Sequence, residues 1–317
     1  MTGWTIADMP PQHGRLAVVT GATGGLGFET AIALAAAGAE VVLASRNDSK
    51  GAEALEKIRA AHPAAQVRFE QLDLASLRSV AACADRLLAA DRGIDLLVNN
   101  AAVMALPRRR ETGDGFEQQF GTNYLGHFAL TARLLPALRR GTRTRVVNVS
   151  SLAAWQGRID LDDLQSERGY RPMRVYGNTK LAMLLFTLEL QRRSDAGGWG
   201  LLSAAAHPGW ARTDIIANVP AETGLEQGFV RLAELAARVL AQSAAAGAQH
   251  TLFAATSPTA CGGGYYGPSG LFFSGPPVAT RLPPRAKNAA VAAGLWEASE
   301  RLTGVAFAGQ EVPLAAT

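Results

Sequence analysis

Cysteine is scarce in this sequence of 317 residues, which contains only Cys83 and Cys261. Neither belongs to a CxxC pair, so the sequence gives no sign of a disulfide framework. Free thiols are typical of a reducing compartment, and we therefore expect a cytoplasmic protein. The five histidines show no metal-binding spacing, and no metal site is predicted.

Long apolar runs are also missing, and no stretch of about 18 uninterrupted apolar residues predicts a membrane span. Residues 1–14 carry Asp8 and two prolines without an apolar core segment, so we interpret them as an N-terminal extension and not a signal peptide. The formal charge is only +4, and no nucleic-acid reading motif accompanies it, so no nucleic-acid partner is predicted. A GxSxG elbow is absent, which argues against serine hydrolysis.

What the sequence does contain is a regular alternation of short β-branched runs with Ala- and Leu-rich helical stretches. The runs VVLA, LLVNN and VVNV are almost continuously apolar, as expected for strands buried on both faces. The alternation predicts an α/β fold, in which residues 1–317 form a single domain. The expected architecture is a doubly wound parallel sheet (a Rossmann fold) in three α/β/α layers. Residues 262–284 are predicted to be an ordered loop, and residues 228–256 a helix.

A glycine-rich turn joins the first predicted strand to its helix. Glycines let the backbone approach a pyrophosphate closely, and the helix N-terminus offers free N–H groups, so a dinucleotide site is predicted. The spacing fits both GxxxGxG and GxxGxxG, and that ambiguity stays open from spacing alone. The candidate contacts are Gly21, Thr23, Gly24, Gly25, Leu26 and Gly27.

The end of the second strand bears on the choice of cofactor. An acidic residue there would bind the ribose 2′-hydroxyl of NAD, but the chain reads Ala44, Ser45 and Arg46, with no carboxylate until Asp48. Arg46 can pair with a 2′-phosphate and Ser45 can donate to it. NADP(H) is therefore the preferred cofactor, with NAD(H) kept as an alternative.

Tyr176 and Lys180 are four positions apart on a predicted helix, so they share one face. An ammonium close to the phenol favours the phenolate, and Tyr176 can then act as a general acid or base. The pattern YxxxK is common by chance, but two strands that end nearby, in Asn99-Asn100 and Ser150-Ser151, strengthen this interpretation.

These motifs together resemble the short-chain dehydrogenase/reductase family over almost the whole chain. The matching segments are TGATGGLG, the Asp73-Leu74 pair, NNAA, GTNYLGHF, VNVSS, YGNTK and the His207-Pro208-Gly209 turn. The resemblance implies a nicotinamide-dependent oxidoreductase, in which the cofactor carries the hydride and the protein orients the reactants. Within this resemblance, the NNA element resolves the ambiguity of the glycine spacing, away from the extended epimerase-like branch.

The resemblance implies a role for each matching residue. Tyr176 is the acid/base, Lys180 lowers its pKa and holds the nicotinamide ribose, and Ser151 binds the substrate oxygen, with Ser150 as the alternative. Asn123 holds a water that links Lys180 to solvent. The implied cofactor contacts beyond the glycine turn are Asp73, Leu74, Asn100, Ala101, Pro208, Gly209 and Thr213, together with Tyr176 and Lys180.

The chain departs from the family pattern at two places. NNAA stands where NNAG is usual, and 25 positions separate Ser151 from Tyr176, about twice the common interval. The longer insert, residues 152–175, resembles the retinol-dehydrogenase-like and protochlorophyllide-reductase-like branch, which implies NADP and bulky apolar substrates. Residues 208–225 are the predicted lid. The candidate residues for an apolar substrate pocket are Met104, Trp155, Trp210 and Phe272.

The predicted function is the interconversion of an alcohol and a ketone or aldehyde with NADP(H). Two alternatives stay open: reduction of an activated carbon–carbon double bond, and non-catalytic nucleotide binding on the same fold. The partner is a small-molecule alcohol or carbonyl compound. The oligomeric state is left open, with a homodimer favoured.

Overall fold

The computed structural model describes residues 3–209, 243–270 and 274–307 of the chain. Eight strands within these ranges form one sheet with the order β3-β2-β1-β4-β5-β6-β7-β8. The strands are β1 Leu16–Thr20, β2 Glu40–Ser45, β3 Val67–Gln71, β4 Leu96–Asn99, β5 Arg145–Val149, β6 Leu202–Ala206, β7 Tyr265–Gly270 and β8 Ser274–Ala279. The α-helices are α1 Gly25–Ala36, α2 Asp48–Ala61, α3 Leu77–Ala89, α4 Gln118–Phe120, α5 Gly126–Arg140, α6 Pro172–Gly197, α7 Ala244–Thr256 and α8 Ala289–Thr303.

The strand order places helices on both faces of the sheet. Alternate residues of β1 point to opposite sides: Ala17 and Val19 lie in an apolar cluster with α1, α2 and α7. Val18 lies in the second cluster, together with side chains of α3, α5, α6 and α8. Both faces of the central strands are therefore buried, as their apolar runs predict, and the expected three-layer α/β/α fold is confirmed.

Successive strands extend the sheet first from β1 towards β3 and then, from β4 onwards, in the opposite direction. The reversal lies at β1, which pairs in parallel with β2 on one side and β4 on the other. Ligands of open α/β sheets bind outside the carboxyl ends of the strands at such a reversal. Thr20 ends β1 and Asn99 ends β4, so the glycine turn and the NNAA segment meet at this point.

The segment from 262 to 284 was predicted to be an ordered loop, but it contains the last two strands, β7 and β8, in full. β7 continues the parallel sheet beside β6, and β8 runs antiparallel to β7 at the edge. Pro276 and Pro277 lie in β8, where an edge strand tolerates residues without an N–H donor. The glycine and proline content, which predicts a loop, is therefore compatible with an edge hairpin.

The described part of the helix predicted over 228–256 is α7, and residues 228–242 lie outside the described residues. No element was predicted for α8, which packs on α6 through an aromatic contact between Trp296 and Phe186, with ring centroids 5.7 Å apart. The N-terminal extension packs on the core at Trp4, whose ring lies edge-on to Phe253 at 5.5 Å.

Candidate active site

The glycine turn between β1 and α1 allows two backbone segments to approach closely. A Cβ at Gly27 would lie 2.3 Å from the carbonyl oxygen of Gly21 and 2.5 Å from the side-chain nitrogen of Asn100. Gly21 has φ +66°, and a Cβ there would meet Ala101 at 2.9 Å. The turn therefore packs directly against the NNAA segment, and side chains at these two positions would separate them.

The first turn of α1 also differs from those of α2, α3, α7 and α8. Those four helices are each capped by a side chain that accepts from a first-turn N–H group. Gly24, the N-cap of α1, supplies no such side chain. The N–H groups at this helix end are thus available to an anionic group. Gly24 and Gly25 carry no side chains, which leaves room for such a group.

The end of β2 lies next to this turn. The hydroxyl oxygens of Thr23 and Ser45 are 3.4 Å apart, which places the strand end beside the glycine turn. Arg46 is exposed, and no hydrogen bond or ion pair engages its guanidinium within the part of the chain that the structure describes. Ser45 and Arg46 therefore lie next to the glycine turn, as their position at the strand end predicts.

The Asp73-Leu74 pair follows β3 at the same edge. One carboxylate oxygen of Asp73 accepts from the N–H of Ala75 at 3.0 Å, and the hydroxyl of Ser79 accepts from the N–H of Asp73. Leu74 is buried against Gly126, where a Cβ would lie 2.4 Å from the Leu74 carbonyl oxygen. The turn after β3 is thus fixed in place, and Asp73 keeps a second carboxylate oxygen for a ligand.

Tyr176 and Lys180 lie one turn apart on α6, and both are almost fully buried. The ammonium nitrogen of Lys180 is 5.6 Å from the centre of the Tyr176 ring and donates to the carbonyl oxygen of Val149, the last residue of β5, at 3.0 Å. Ser151 is the N-cap of the 3₁₀ turn that follows β5, and its side chain is close enough to Tyr176 to influence the pKa of the phenol. The structure therefore brings Ser151, Tyr176 and Lys180 together at the carboxyl end of β5.

Burial decides the protonation states of this pair. Burial raises the pKa of Tyr176 to about 12, although the neighbouring side chain of Ser151 opposes the rise. Burial lowers the pKa of Lys180 to about 8. At neutral pH the phenol is therefore protonated and the amine is still largely an ammonium.

The second serine, Ser150, has a different role. Its hydroxyl donates to the backbone carbonyl oxygen of Lys180 at 2.9 Å, in the interior of the protein. This contact joins the end of β5 to α6 and holds the helix against the strand. Ser151, which is less buried, is the better candidate for a substrate contact.

Asn123 lies in a π-helical turn, Gly121–Leu125, between α4 and α5. π-Helical turns are rare and are frequent at functional sites. The Asn123 side chain accepts from the N–H of Val103 at 2.7 Å and donates to the Val103 carbonyl at 2.8 Å. It also donates to the hydroxyl of Thr179, the neighbour of Lys180, at 3.1 Å, and so connects α6 to the segment after NNAA.

His127 links the glycine turn to Asn123, a connection that the sequence did not predict. The Asn123 backbone carbonyl can only accept, so the His127 Nδ1, 2.9 Å away, carries the proton. Its Nε2 then accepts from the hydroxyl of Thr20 at 2.9 Å. That hydroxyl oxygen accepts from the N–H groups of Asn100 and Ala101. Burial lowers the pKa of His127 to about 4, so the ring stays neutral and keeps this arrangement at neutral pH.

The predicted substrate pocket is described only in part. Met104 is half-buried, and Trp155, the last residue of the 3₁₀ turn after Ser151, is 41% exposed. Pro208 and Gly209 follow β6, and the Gly209 N–H donates to the Nδ1 of His207 at 3.2 Å. Thr213, Trp210, Phe272 and most of the predicted lid lie outside the described residues, so their assignment stays a prediction.

Residues 3–209, 243–270 and 274–307 contain neither a membrane-spanning helix nor a metal-binding cluster. No helix there is both long and apolar enough to cross a membrane. No group of three or more His, Cys, Asp or Glu side chains in those ranges is arranged to hold a metal ion. The predicted cytoplasmic location and the predicted homodimer stay predictions.

Residues 15–224 match the family model described as short chain dehydrogenase. The chain belongs to this family of oxidoreductases. It is similar to retinol dehydrogenase 13 of Mus musculus, with 39% identity over 297 residues that cover 93% of this chain and 85% of that protein. It is also similar to polyprenol dehydrogenase of Mus musculus, with 46% identity over 211 residues. That alignment covers 65% of this chain and spans 63% of the polyprenol dehydrogenase.

Two solved structures are similar to this protein. One is an uncharacterised protein from Mycobacterium paratuberculosis, with 43% identity, a TM-score of 0.79, and coverage of 96% of this chain and 99% of that chain. The other is a short chain dehydrogenase/reductase from Burkholderia phymatum in complex with NAD. It is 25% identical, has a TM-score of 0.61, and covers 78% of this chain and 87% of that chain. The resemblance stated from the sequence motifs is therefore confirmed at the level of the family and of the retinol-dehydrogenase-like branch.

Proposed function

We propose that this protein is an NADP(H)-dependent oxidoreductase that interconverts an alcohol and a ketone or aldehyde, acting on bulky apolar substrates. The observation that carries the proposal is the placement of Ser151 beside the buried side chains of Tyr176 and Lys180 at the carboxyl end of β5. The retinol and polyprenol dehydrogenases to which the chain is similar are named for apolar alcohols, which supports the substrate class.

The residues at the cleft fit a nicotinamide dinucleotide. The uncapped first turn of α1 and the side-chain-free positions Gly24 and Gly25 suit a pyrophosphate, and NAD is bound in the relative from Burkholderia phymatum. Asp73, Leu74, Asn100 and Ala101 would hold the adenosine side of the cofactor, and Pro208 and Gly209 would lie at the nicotinamide. When bound, the cofactor gives or accepts the hydride.

The protein's own residues supply orientation and the proton. Ser151 donates a hydrogen bond to the substrate oxygen and holds it beside the Tyr176 hydroxyl. In reduction Tyr176 gives its proton to that oxygen as negative charge develops there, and in oxidation it takes the proton back. The Lys180 ammonium stabilises the phenolate that forms, and Asn123 fixes the helix segment beside Lys180 through Thr179. The protonated phenol at neutral pH is the form that reduction needs.

A panel of paired substrates tests the proposal. Small and bulky apolar ketones and aldehydes, their alcohols and a matched enone are offered with NADPH, NADH and the oxidised cofactors, and products are identified. We expect carbonyl reduction with NADPH, with a higher kcat/KM for bulky apolar compounds. Saturation of the enone double bond with an intact carbonyl would support the double-bond reductase instead, and cofactor binding without turnover would support the non-catalytic alternative.

Cofactor preference gives a separate prediction at Arg46. Replacing Arg46 by glutamine removes the cation that pairs with the 2′-phosphate, so kcat/KM for NADPH should fall about tenfold while that for NADH changes less than twofold. The matched control is Arg139→Gln, which removes an exposed arginine from the last turn of α5, at the opposite end of the strands. Equal losses with the two cofactors in Arg46→Gln would contradict the assignment of this side chain to the phosphate.

A further inference from the structure

The segment that follows NNAA, residues 103–106, is held by three side chains from other parts of the chain. Asn123 makes the two hydrogen bonds to the backbone of Val103 described above. Gln119 accepts from the N–H of Ala105 at 2.8 Å. Tyr170 donates to the carbonyl oxygen of Leu106 at 2.7 Å. Four hydrogen bonds therefore fix a segment of four residues, and Met104 lies between the fixed points.

Ala105 has a conformation that the segment would rarely adopt unsupported. Its φ is +53°, in the left-handed region that disfavours residues with a Cβ. Such residues persist when the surrounding structure over-determines them, and they cluster at ligand sites. The hydrogen bond from the Ala105 N–H to Gln119 supplies part of this constraint, so the position of the neighbouring Met104 depends on Gln119.

Gln119 is fully buried, and its amide nitrogen is also engaged. It donates to the hydroxyl of Tyr170 at 3.0 Å and to the carbonyl oxygen of Pro172 at 3.2 Å. Pro172 is the first residue of α6, four positions before Tyr176. One side chain thus bonds to the Met104 segment, to the long insert and to the start of the catalytic helix.

Tyr170 belongs to the insert of residues 152–175. Its hydroxyl accepts from Gln119 and donates to Leu106, and partial burial raises its pKa to about 12, so it remains a donor at neutral pH. A second attachment lies at Gln165. Its side-chain oxygen accepts from the N–H of Glu117 at 2.7 Å, and its backbone carbonyl oxygen accepts from the Arg109 side chain at 3.0 Å. The insert is therefore bonded at two points to the chain around Met104.

We propose that Gln119 and Tyr170 are positioning residues that set the distance between the Met104 segment and the catalytic helix, and so select bulky apolar carbonyl compounds. The inference rests on the proposed function and adds how the site chooses among substrates. Neither side chain is required to touch the substrate. Both act by holding Met104 as a fixed apolar wall, which lowers the cost of ordering the pocket around a large substrate.

The variants that test this are Gln119→Met, Tyr170→Phe and the double variant. Methionine has the length of glutamine but none of its hydrogen bonds, and phenylalanine lacks only the hydroxyl. The matched control is Tyr266→Phe, which removes a buried hydroxyl bonded to the N–H of Cys261 in the turn before β7. Amide hydrogen exchange of residues 101–107 is measured together with steady-state kinetics on a small and a bulky apolar carbonyl compound.

We expect exchange of the Ala105 amide to rise at least about tenfold in Gln119→Met, because that N–H loses its acceptor. KM for the bulky compound should rise about tenfold in each single variant, with kcat changed less than threefold and KM for the small compound and the cofactor changed less than twofold. KM of the double variant for the bulky compound should exceed that of Gln119→Met by less than twofold, because the two residues share one connection.

Unchanged hydrogen exchange of the Ala105 amide in Gln119→Met would overturn the inference. Equal rises in KM for the small compound, the bulky compound and the cofactor would also overturn it, since they indicate a general structural defect. A wild-type protein that turns over no carbonyl compound would refute the proposed function and, with it, the selective role of Gln119 and Tyr170. Turnover by the wild type with variants indistinguishable from Tyr266→Phe would refute the inference alone.

Discussion

Tyr176→Phe is expected to lower kcat for carbonyl reduction by about 10²- to 10⁴-fold, the usual contribution of a positioned general acid. The phenol is protonated at neutral pH because burial raises its pKa to about 12, so in the wild type it is ready to protonate a carbonyl oxygen. Phenylalanine keeps the ring among its apolar neighbours and removes only the proton donor. Steady-state assays of cofactor oxidation, with cofactor affinity measured separately by titration, check this result.

The affinity measurement separates chemistry from binding. The cofactor Kd should change less than threefold in Tyr176→Phe, because the glycine turn and the end of β2 are untouched. Tyr266→Phe, which also removes a buried hydroxyl, should retain most of the activity. A Tyr176→Phe protein that keeps more than a tenth of wild-type kcat would refute the assignment of Tyr176 as the acid.

The sheet was predictable because its physical signal is local. Strands buried on both faces must be apolar throughout, so β1, β2, β4 and β5 are evident in the sequence. β7 and β8 gave no such signal because glycine and proline interrupt both strands. These residues are tolerated because β8 is the edge strand and β7 pairs with β6 only at Tyr265 and Tyr266. The helix α8 was missed, although its cap Asn288 and the terminal Gly304 are both visible in the sequence.

The candidate site was predictable to the extent that its residues are close in sequence. Tyr176 and Lys180 are joined by helical spacing, and the glycine turn by its motif. The contact between Gln119 and Tyr170 spans 51 positions, and that between Thr20 and His127 spans 107. No local pattern indicates such pairs, because the fold of the intervening chain determines them. The raised pKa of Tyr176 was equally hidden, since a neighbouring ammonium alone would lower it.

Lys180→Met should stabilise the folded protein at neutral pH while removing most of its activity. A pKa lowered from 10.5 to about 8 corresponds to a cost of about 3 kcal/mol for burying the ammonium at pH 7. The variant loses the hydrogen bond to the Val149 carbonyl, which costs about 1 kcal/mol. The free energy of unfolding should therefore rise by about 2 kcal/mol, whereas kcat/KM should fall about 10²-fold because the phenolate is no longer stabilised.

The pH dependence of the stability difference between Lys180→Met and the wild type identifies the origin of that difference. Between pH 8 and 10.5 the folded wild type has lost the Lys180 proton and the unfolded chain still holds it, so the unfolded state binds more protons and wild-type stability rises with pH. The advantage of Lys180→Met should therefore be greatest at pH 7 and shrink steadily towards pH 9.5 in urea denaturation. Lys57→Met, which removes an exposed lysine of α2 and the same formal charge, should show neither the gain nor this dependence. A pH-independent gain in Lys180→Met would indicate better apolar packing instead, and the buried ammonium would then not be the source of the instability.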